Sequence, residues 1–334
     1  MKTGELGEFG LIDILTGICE ESRGEVSGQD ALVVGIGDDA AGWNGPDSIQ
    51  LVTTDMLVEN IHFKLSTTSW LDLGWKSMAA NISDIAAMGG LPQYGVISLG
   101  LPPDTEVESV ERLYRGISDI SRRYGLVIAG GDVTESPVTV ISPAVTGKVE
   151  KDRILRRSGA VAGELVAVTG YTGLSAAGLE LLEAPDLNDR KTGGLLIEAH
   201  LRPSPRVVEG RILGECGVRV AIDTSDGLLA DLSHICRSSK VSVRVYGESV
   251  PVHPVLRDLF GARSLELALT GGEDYQIVFT ASKEIFEEAA NRIESPVTVI
   301  GEVTGDEPGG PVIIDGNGKS IEYNRGGWEH FSGR

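Results

Sequence analysis

Residues 31–41 read ALVVGIGDDAA and residues 49–55 read IQLVTTD. Both are short apolar runs rich in β-branched residues, and both end on acid: Asp38 and Asp39 in the first, Asp55 in the second. Runs of this kind predict buried strands, here 31–36 and 49–53. Adjacent carboxylates repel one another, so the turn after the first strand either lies in solvent or holds a cation. The pattern recurs. Asp132 follows an apolar run in AGGDVTE, and Asp223 and Asp226 follow another in AIDTSDGLLAD. Taken singly, each is a turn or cap aspartate as readily as a ligand. Taken together, they are carboxylates at strand ends, where side chains can converge at one end of a sheet. Asp84, in NISDIAAMGG, sits inside an apolar helical pattern, an awkward place for a carboxylate without a partner.

The donor types limit what such a cluster could hold. Hard divalent cations take oxygen ligands, and Mg2+ combines one or two carboxylates with phosphate oxygens and water. Thr53, Thr54 and Ser225 would add hydroxyl oxygens. Zinc fits badly, because the acids have no His or Cys beside them. The spacing is not that of an EF-hand loop. The sharpest reading is a group of Mg2+ ions that binds polyphosphate.

Around these turns, periodicity supplies the remaining elements. Residues 70–88 predict a helix with Leu71, Trp75, Met78, Ala79, Ile82 and Ile85 on one face and Ser77, Asn81 and Asp84 on another. Asp104 reads as the N-cap of a helix carrying Val107, Val110, Leu113, Ile117 and Ile120, closed by Gly125. Strands follow at 126–129 and 138–149. From about residue 151 the pattern restarts with a strand at 165–170 and the helix LSAAGLELL. A second helix runs from the Ser204-Pro205 pair, as N-cap and first helical residue, to about residue 215. A strand ending at Asp223, a helix at 227–238, strands at 241–246 and 275–280, a helix at 282–293 and short terminal strands complete the pattern. A chain of 334 residues is long for one core. The break falls near 150, in KVEKDRILRRSG. The fold class is therefore α+β: two mixed α/β domains, residues 1–150 and 151–334.

Charge and composition exclude several classes. With 49 acids against 29 bases the formal net charge is -20, which repels nucleic acid and anionic membranes. A phosphorylated substrate would need cations to be held here. Cys19, Cys216 and Cys236 form no CxxC pair, so no zinc ribbon or disulfide framework is implied. No basic-then-apolar leader and no run of about 18 apolar residues is present, which predicts a soluble cytoplasmic protein. Forty-four glycines is about twice the usual share and points to tight turns or close backbone approach to a ligand.

Phosphate-handling signals are dispersed. There is no GxxxxGK[ST] loop. TGYTGLSAAG, residues 169–178, leads glycines into a helix, which either binds phosphate on free amides or simply turns the chain. LTGGEDYQIVF places Glu273 and Asp274 before a strand, as a hairpin turn or as part of a site. LRRSGA, residues 155–160, offers Arg156 and Arg157, either as surface arginines or beside a polyphosphate.

The ordered set of segments resembles the thiamine-monophosphate kinase family. The set is GIGDDAA, TTDMLVENIHF, NISDIAAMGGLP, GGDVT, RSGA, SAAGL, HLRPSPR, IDTSDGLLADL, TGGEDYQIVFT and an aromatic in GGWEHF. No single piece is specific, but their order along nearly the whole chain is. The family belongs to a superfamily with aminoimidazole ribonucleotide synthetase and selenophosphate synthetase. The resemblance implies a homodimer of two-domain subunits with that synthetase-like fold. The N-terminal domain would serve ATP, Mg2+ and dimerisation, and the C-terminal domain would complete the cleft. It implies transfer of the γ-phosphoryl of ATP to thiamine monophosphate, giving thiamine diphosphate. Carried over by position, Asp39, Thr53, Thr54, Asp55, Asp84, Asp132, Asp223 and Asp226 would ligate Mg2+. Gly131, Asp132, Arg157 and Ser225 would contact ATP, with Tyr114 on the adenine side. His62, Glu273 and Trp328 would contact thiamine monophosphate. One departure is ENIHF, where many relatives carry glycine before the histidine; His62 itself is kept.

The chemistry that follows is direct in-line transfer. The attacking group is already an anionic phosphate, so no general base is required and no side chain is assigned as one. Selenophosphate synthesis is disfavoured because no cysteine precedes Cys19 in a glycine-rich loop, and the aminoimidazole synthetase by His62 and Trp328. A non-enzymatic alternative is an acidic divalent-ion scaffold that binds nucleotide for stability.

Overall fold

The computed structural model describes residues 5, 7–23, 31–184, 190–305 and 309–321 of the chain. After an N-terminal helix, α1 (Glu8–Arg23), come two mixed sheets, each of seven strands.

The first sheet holds β1 (Leu32–Val34), β2 (Ala41–Asn44), β3 (Ile49–Thr54), β4 (Leu57–Val58), β5 (Leu91–Leu101), β6 (Val127–Glu135) and β7 (Val140–Val149). Its order is β1-β2-β3-β7-β5-β6, with β4 also on β7. Every pairing is antiparallel except β5 with β6, which are joined through helix α3 (Val107–Tyr124). Ile49 and Leu51 of β3, Ile97 and Leu99 of β5, and Ile141, Val145 and Val149 of β7 point into one core under α2 (Trp70–Ala87) and α3. The alternate residues face outward: Val96 and Tyr94 on β5 are 46% and 55% exposed, and Val127, level with Tyr94 on β6, is 55% exposed.

The second sheet runs β14-β13-β10-β12-β8-β11-β9. Its strands are β8 (Leu165–Thr169), β9 (Val220–Asp223), β10 (Ser242–Tyr246), β11 (Ile277–Ala281), β12 (Val297–Thr304), β13 (Pro311–Ile314) and β14 (Ser320–Ile321). Only β10 with β13 is parallel. Here both faces are covered. Val166, Val168, Ile222 and Val278 point to one core, with helices α4 (Leu174–Glu183) and α7 (Leu228–Ser239). Ala167, Ala221, Ile277 and Phe279 point to another, with α6 (Val207–Cys216) and α10 (Lys283–Arg292).

Helix α2 is the axle between the halves. Its predicted polar face is not solvated: Ser77 and Asn81 are as buried as Met78 and Ile82, and Asp84 is half-buried. The segment 200–206 seals one side of it. The Trp75 indole donates to the Pro203 carbonyl at 2.8 Å, Arg202 pairs with Asp72, and the Tyr124 hydroxyl donates to the Pro205 carbonyl at 3.1 Å. That pinning corrects the cap assigned to Ser204. The chain stays extended through Pro205, Arg206 holds the N-cap position, and α6 starts at Val207.

Other expectations shift similarly. Asp104 is not a cap; it lies in an exposed turn and Glu106 occupies that place, while Gly125 closes α3 as expected. The strand expected at 126–129 runs on to Glu135, so the GGD stretch is strand rather than turn. A Cβ at Gly131 would sit 2.1 Å from the Ile97 carbonyl oxygen, so glycine here serves close strand pairing. Strands β2, β4 and β5 and helices α1, α5 (Arg190–Leu201), α8 (Pro254–Phe260) and α9 (Ser264–Thr270) are additional to the sequence reading.

Candidate active site

The acidic turns meet where the two halves abut. Oxygen atoms of Asp39, Asp84 and Asp223 lie within 4.8 Å of one another. Asp39 comes from the turn before β2, Asp84 from the last turns of α2, and Asp223 from the end of β9. The helix explains Asp84: with both flanks of α2 buried, a carboxylate there faces the seam rather than solvent. Thr53 at the end of β3 donates to Asp84 Oδ2 at 2.5 Å, and Ser83 donates to Asp223 Oδ2 at 2.6 Å across the seam. Asp55 is tethered through its backbone, its N–H donating to Asn81 Oδ1 at 3.2 Å. The Thr54 hydroxyl donates to the Pro143 carbonyl.

Asp38 and Asp39 have different tasks. Asp38 accepts the N–H of Asp39 at 3.1 Å and the backbone N–H of Arg157 at 3.2 Å, so it orients the turn and joins it to the 156–158 segment. Asp39 accepts two bonds from the Arg157 guanidinium on Oδ1, at 3.1 and 2.6 Å. Among the described residues its Oδ2 has no partner, nor does Asp55 Oδ2, although both atoms are buried. An orphaned carboxylate oxygen in the interior is costly unless a cation meets it.

Electrostatics report the same crowding. Burial, reinforced by Asp55, Asp223 and Asp39, pushes Asp84 well above the usual carboxylate range. Burial and then Asp39 raise Asp223 to about 8. Burial raises Asp38 to about 7, and Asp55 and Asp226 to about 6. For Arg157, burial works against charge, but Asp39 more than offsets it and the guanidinium stays cationic. The donors are all oxygen and two are unsatisfied, a set that fits a hard divalent cation such as Mg2+.

The opposite wall is the loop before β11. Glu273 N–H donates to the Ser225 carbonyl at 2.8 Å and Tyr275 N–H to the Thr224 carbonyl at 2.9 Å, locking this loop to the one that carries Asp226. Glu273 and Tyr275 both adopt left-handed backbone, with φ of 64° and 49°. Such backbone in non-glycine residues is strain held by surrounding bonds, and it gathers at functional sites. A hairpin turn is thus not what GGEDY builds. Asp274, between them, accepts the N–H groups of Gly173 and Ser175 at the start of α4.

The remaining predicted residues are spread around this centre. His62 Nδ1 accepts the Val58 N–H at 3.0 Å on the β4 side. Gly131 and Asp132 lie on β6, on the rim of the first sheet, and Asp132 is exposed there and outside the 39/84/223 group. Tyr114 packs on the first core from α3, an element that contributes nothing to the acidic cluster. Trp328 lies outside the described residues. Ser83, Lys76, His200 and Tyr275 were missed by sequence reasoning. The last two stand in HLRPSPR and GGEDY, whose distinctiveness was noted without a role for these positions.

The fold and site define a class first. Residues 28–149 match the family described as AIR synthase related protein, N-terminal domain. Relatives over the whole length then narrow it. The chain is 36% identical to the thiamine-monophosphate kinase of Aquifex aeolicus, covering 99% of this chain and all of that one. It is also 36% identical to that of Bacillus subtilis, covering 89% and 93%. A solved structure described as AaThiL complexed with AMPPCP and TMP superposes with a TM-score of 0.86, at 36% identity over 99% of both chains. The chain belongs to the thiamine-monophosphate kinase family.

Proposed function

We propose that this chain transfers the γ-phosphoryl of ATP to the phosphate of thiamine monophosphate, directly and in line. The observation that carries the reading is the gathering of Asp39, Asp84 and Asp223 from both halves of the chain, with unpartnered buried oxygens on Asp39 and Asp55. ATP carries about four negative charges and a phosphomonoester nearly two, in a chain that is itself strongly acidic. Mg2+, when bound, supplies the positive charge that offsets this repulsion and stabilises the transferring group. Asp39, Asp55, Asp84, Asp223 and Asp226 would hold it, with Thr53, Thr54 and Asp132 completing the ligands.

The chain's own residues do the rest. Arg157 lies beside Asp39, where its guanidinium can turn toward a phosphate oxygen. Ser225, Gly131 and Tyr114 are the further nucleotide contacts. Glu273 offers a carboxylate on the far wall to the aminopyrimidine amine of the vitamin. His62 approaches from the β4 side, and Trp328 offers a face to the cationic thiazolium. Neither a general base nor a phosphoenzyme is needed. The N-terminal half would carry ATP, metal and the dimer contact, and the C-terminal half would close the cleft.

The working form is a cytoplasmic homodimer, paired through the open face of the first sheet. Val96, Tyr94 and Val127 on that face need a cover. No helix among the described residues is long and apolar enough to cross a membrane.

ADP release tests the reaction. Thiamine monophosphate should stimulate it, while thiamine and aminoimidazole precursors should not. Stimulation by thiamine alone, or ADP release indifferent to the vitamin, defeats the proposal. Trp328→Ala should raise KM for thiamine monophosphate by about tenfold and leave KM for ATP nearly unchanged.

A further inference from the structure

Behind Glu273 lies a buried polar chain that the reaction as described does not use. Lys76, in the middle of α2, is 1% exposed. A fully buried lysine is rare and demands partners. Its Nζ donates to Glu273 Oε2 at 2.8 Å and to His200 Nε2 at 3.2 Å. His200 Nδ1 lies 3.0 Å from Ser175 Oγ. Ser175 in turn gives its N–H to Asp274, the neighbour of Glu273. Four elements thus converge on one carboxylate: α2, α4, the end of α5 and the strained 273–275 loop.

Donor counting fixes the direction of the chain. An ammonium can only donate, so His200 Nε2 must accept from Lys76. The imidazole is therefore neutral, with its proton on Nδ1 and directed at Ser175. Burial, then the neighbouring Lys76, lowers His200 to about 4, in agreement with that form. Lys76 is left with a net positive charge and one anionic partner. Burial alone would favour a protonated Glu273, but the charge and hydrogen bond of Lys76 reverse this and hold it below the usual carboxylate range. About a third of the Glu273 side chain remains exposed to the cleft.

We propose that Lys76 and His200 are positioning residues that hold Glu273 as a fixed, hydrogen-bond-accepting carboxylate for the vitamin half of the substrate. The inference rests on the reading that thiamine monophosphate binds at Glu273. The exocyclic amine of an aminopyrimidine donates hydrogen bonds, so its site must present an acceptor with lone pairs free. A protonated or freely rotating glutamic acid would present its own proton or none in register. Lys76 takes one carboxylate oxygen and leaves the other for the ligand. Neither Lys76 nor His200 needs to touch the substrate. Their effect is confined to recognition of the vitamin, and the nucleotide and the transferring phosphoryl lie with the acidic cluster.

A mutant cycle on the full-length protein tests this, with KM measured separately for thiamine monophosphate and ATP. Glu273→Gln should raise KM for the vitamin phosphate by about tenfold or more, the loss of a charge-assisted bond, and leave KM for ATP within about twofold. Lys76→Met should do the same. The double variant should be no worse than Glu273→Gln alone, because Lys76 acts through Glu273. His200→Leu should show a smaller loss of the same kind, and His200→Gln, which restores an acceptor to Lys76, should recover most of it. If Lys76→Met fails to fold, the histidine pair carries the test. A normal vitamin KM in Lys76→Met or His200→Leu, equal losses for both substrates, or additive losses in the double variant overturns the inference alone, provided Glu273→Gln shows its selective defect. An unchanged vitamin KM in Glu273→Gln overturns the placement of the vitamin, and the inference with it.

Discussion

The two sheets have the same number of strands and opposite surroundings. The second is covered on both faces, so Val166 and Val168 serve one core while Ala167, between them, serves another. Among the described residues the first is covered on one face only, and its other face leaves Val96 and Tyr94 exposed. The difference assigns tasks. A sheet buried on both sides is a rigid wall, fit to hold Asp223 and the 273–275 loop in register. A sheet whose one face carries exposed apolar side chains is the surface on which the proposed pairing of two copies rests.

The seam between the sheets is where the largest effect should fall. Asp84→Asn and Asp223→Asn should each lower kcat by about a thousandfold or more, the scale of losing a charge-stabilising group in phosphoryl transfer. Far-UV circular dichroism should be unchanged, and the metal-free protein should melt no lower, because each variant relieves crowding among Asp39, Asp84 and Asp223. Turnover within about tenfold of wild type in both variants would remove the cluster from the mechanism.

Core truncation separates the sheets themselves. Phe279→Ala, in the doubly covered sheet, should cost about 3–5 kcal/mol in denaturant unfolding. Val96→Ala should cost the isolated protomer less than about 0.5 kcal/mol. Equal losses would mean that the open face is not open in solution.

Val96→Glu sharpens the same contrast. Charge on the outward face should shift the protein from dimer to a 35.3 kDa monomer in sedimentation, with the protomer still folded. A dimer that survives this change and a second charge at Val127 pairs through some other surface.

The smallest effect is in pH. Asp38, Asp55, Asp223 and Asp226 titrate at about 7, 6, 8 and 6 in the metal-free fold, above their ordinary range because burial disfavours the charged form. The folded chain then keeps protons that the unfolded chain has released. Stability from these groups is present in acid and is lost as pH rises toward about 8. In chelator, the melting temperature should fall by a few degrees from about pH 5.5 to 8.5, and Mg2+ should restore it with release of protons. A melting temperature that rises over that interval would contradict the buried cluster.

Much of this was legible in the chain. Strands ending on acid, the α2 period and the order of the segments were enough for the class and for Asp39, Asp84 and Asp223. What was lost has physical causes. Strand β5 occupies the middle of the first sheet, yet LPQYGVISLGL carries Pro92, Gly95 and Gly100, which read as breakers. Gly131 read as a turn, because a close approach by a neighbouring strand leaves no mark on its own segment. Helix α2 was read with a polar face distinct from its apolar one. Asp84 on that face meets Asp223, more than a hundred residues away, and no local period can announce it. Lys76 was invisible for the same reason.

A ribosome makes Lys76 long before it makes His200. The two are 124 residues apart, and at about 5–20 residues per second the interval is about 6–25 s. Through that time the first half has its helices and strands but no lid on α2: the Trp75 indole lacks the Pro203 carbonyl and the Lys76 ammonium has neither of its partners. Until HLRPSPR emerges and docks, these groups of the nascent first half go without the partners they have in the finished fold. A synonymous-codon change that slows translation between residues 76 and 200 would lengthen that exposure, and its cost would be paid in soluble yield with no amino acid altered.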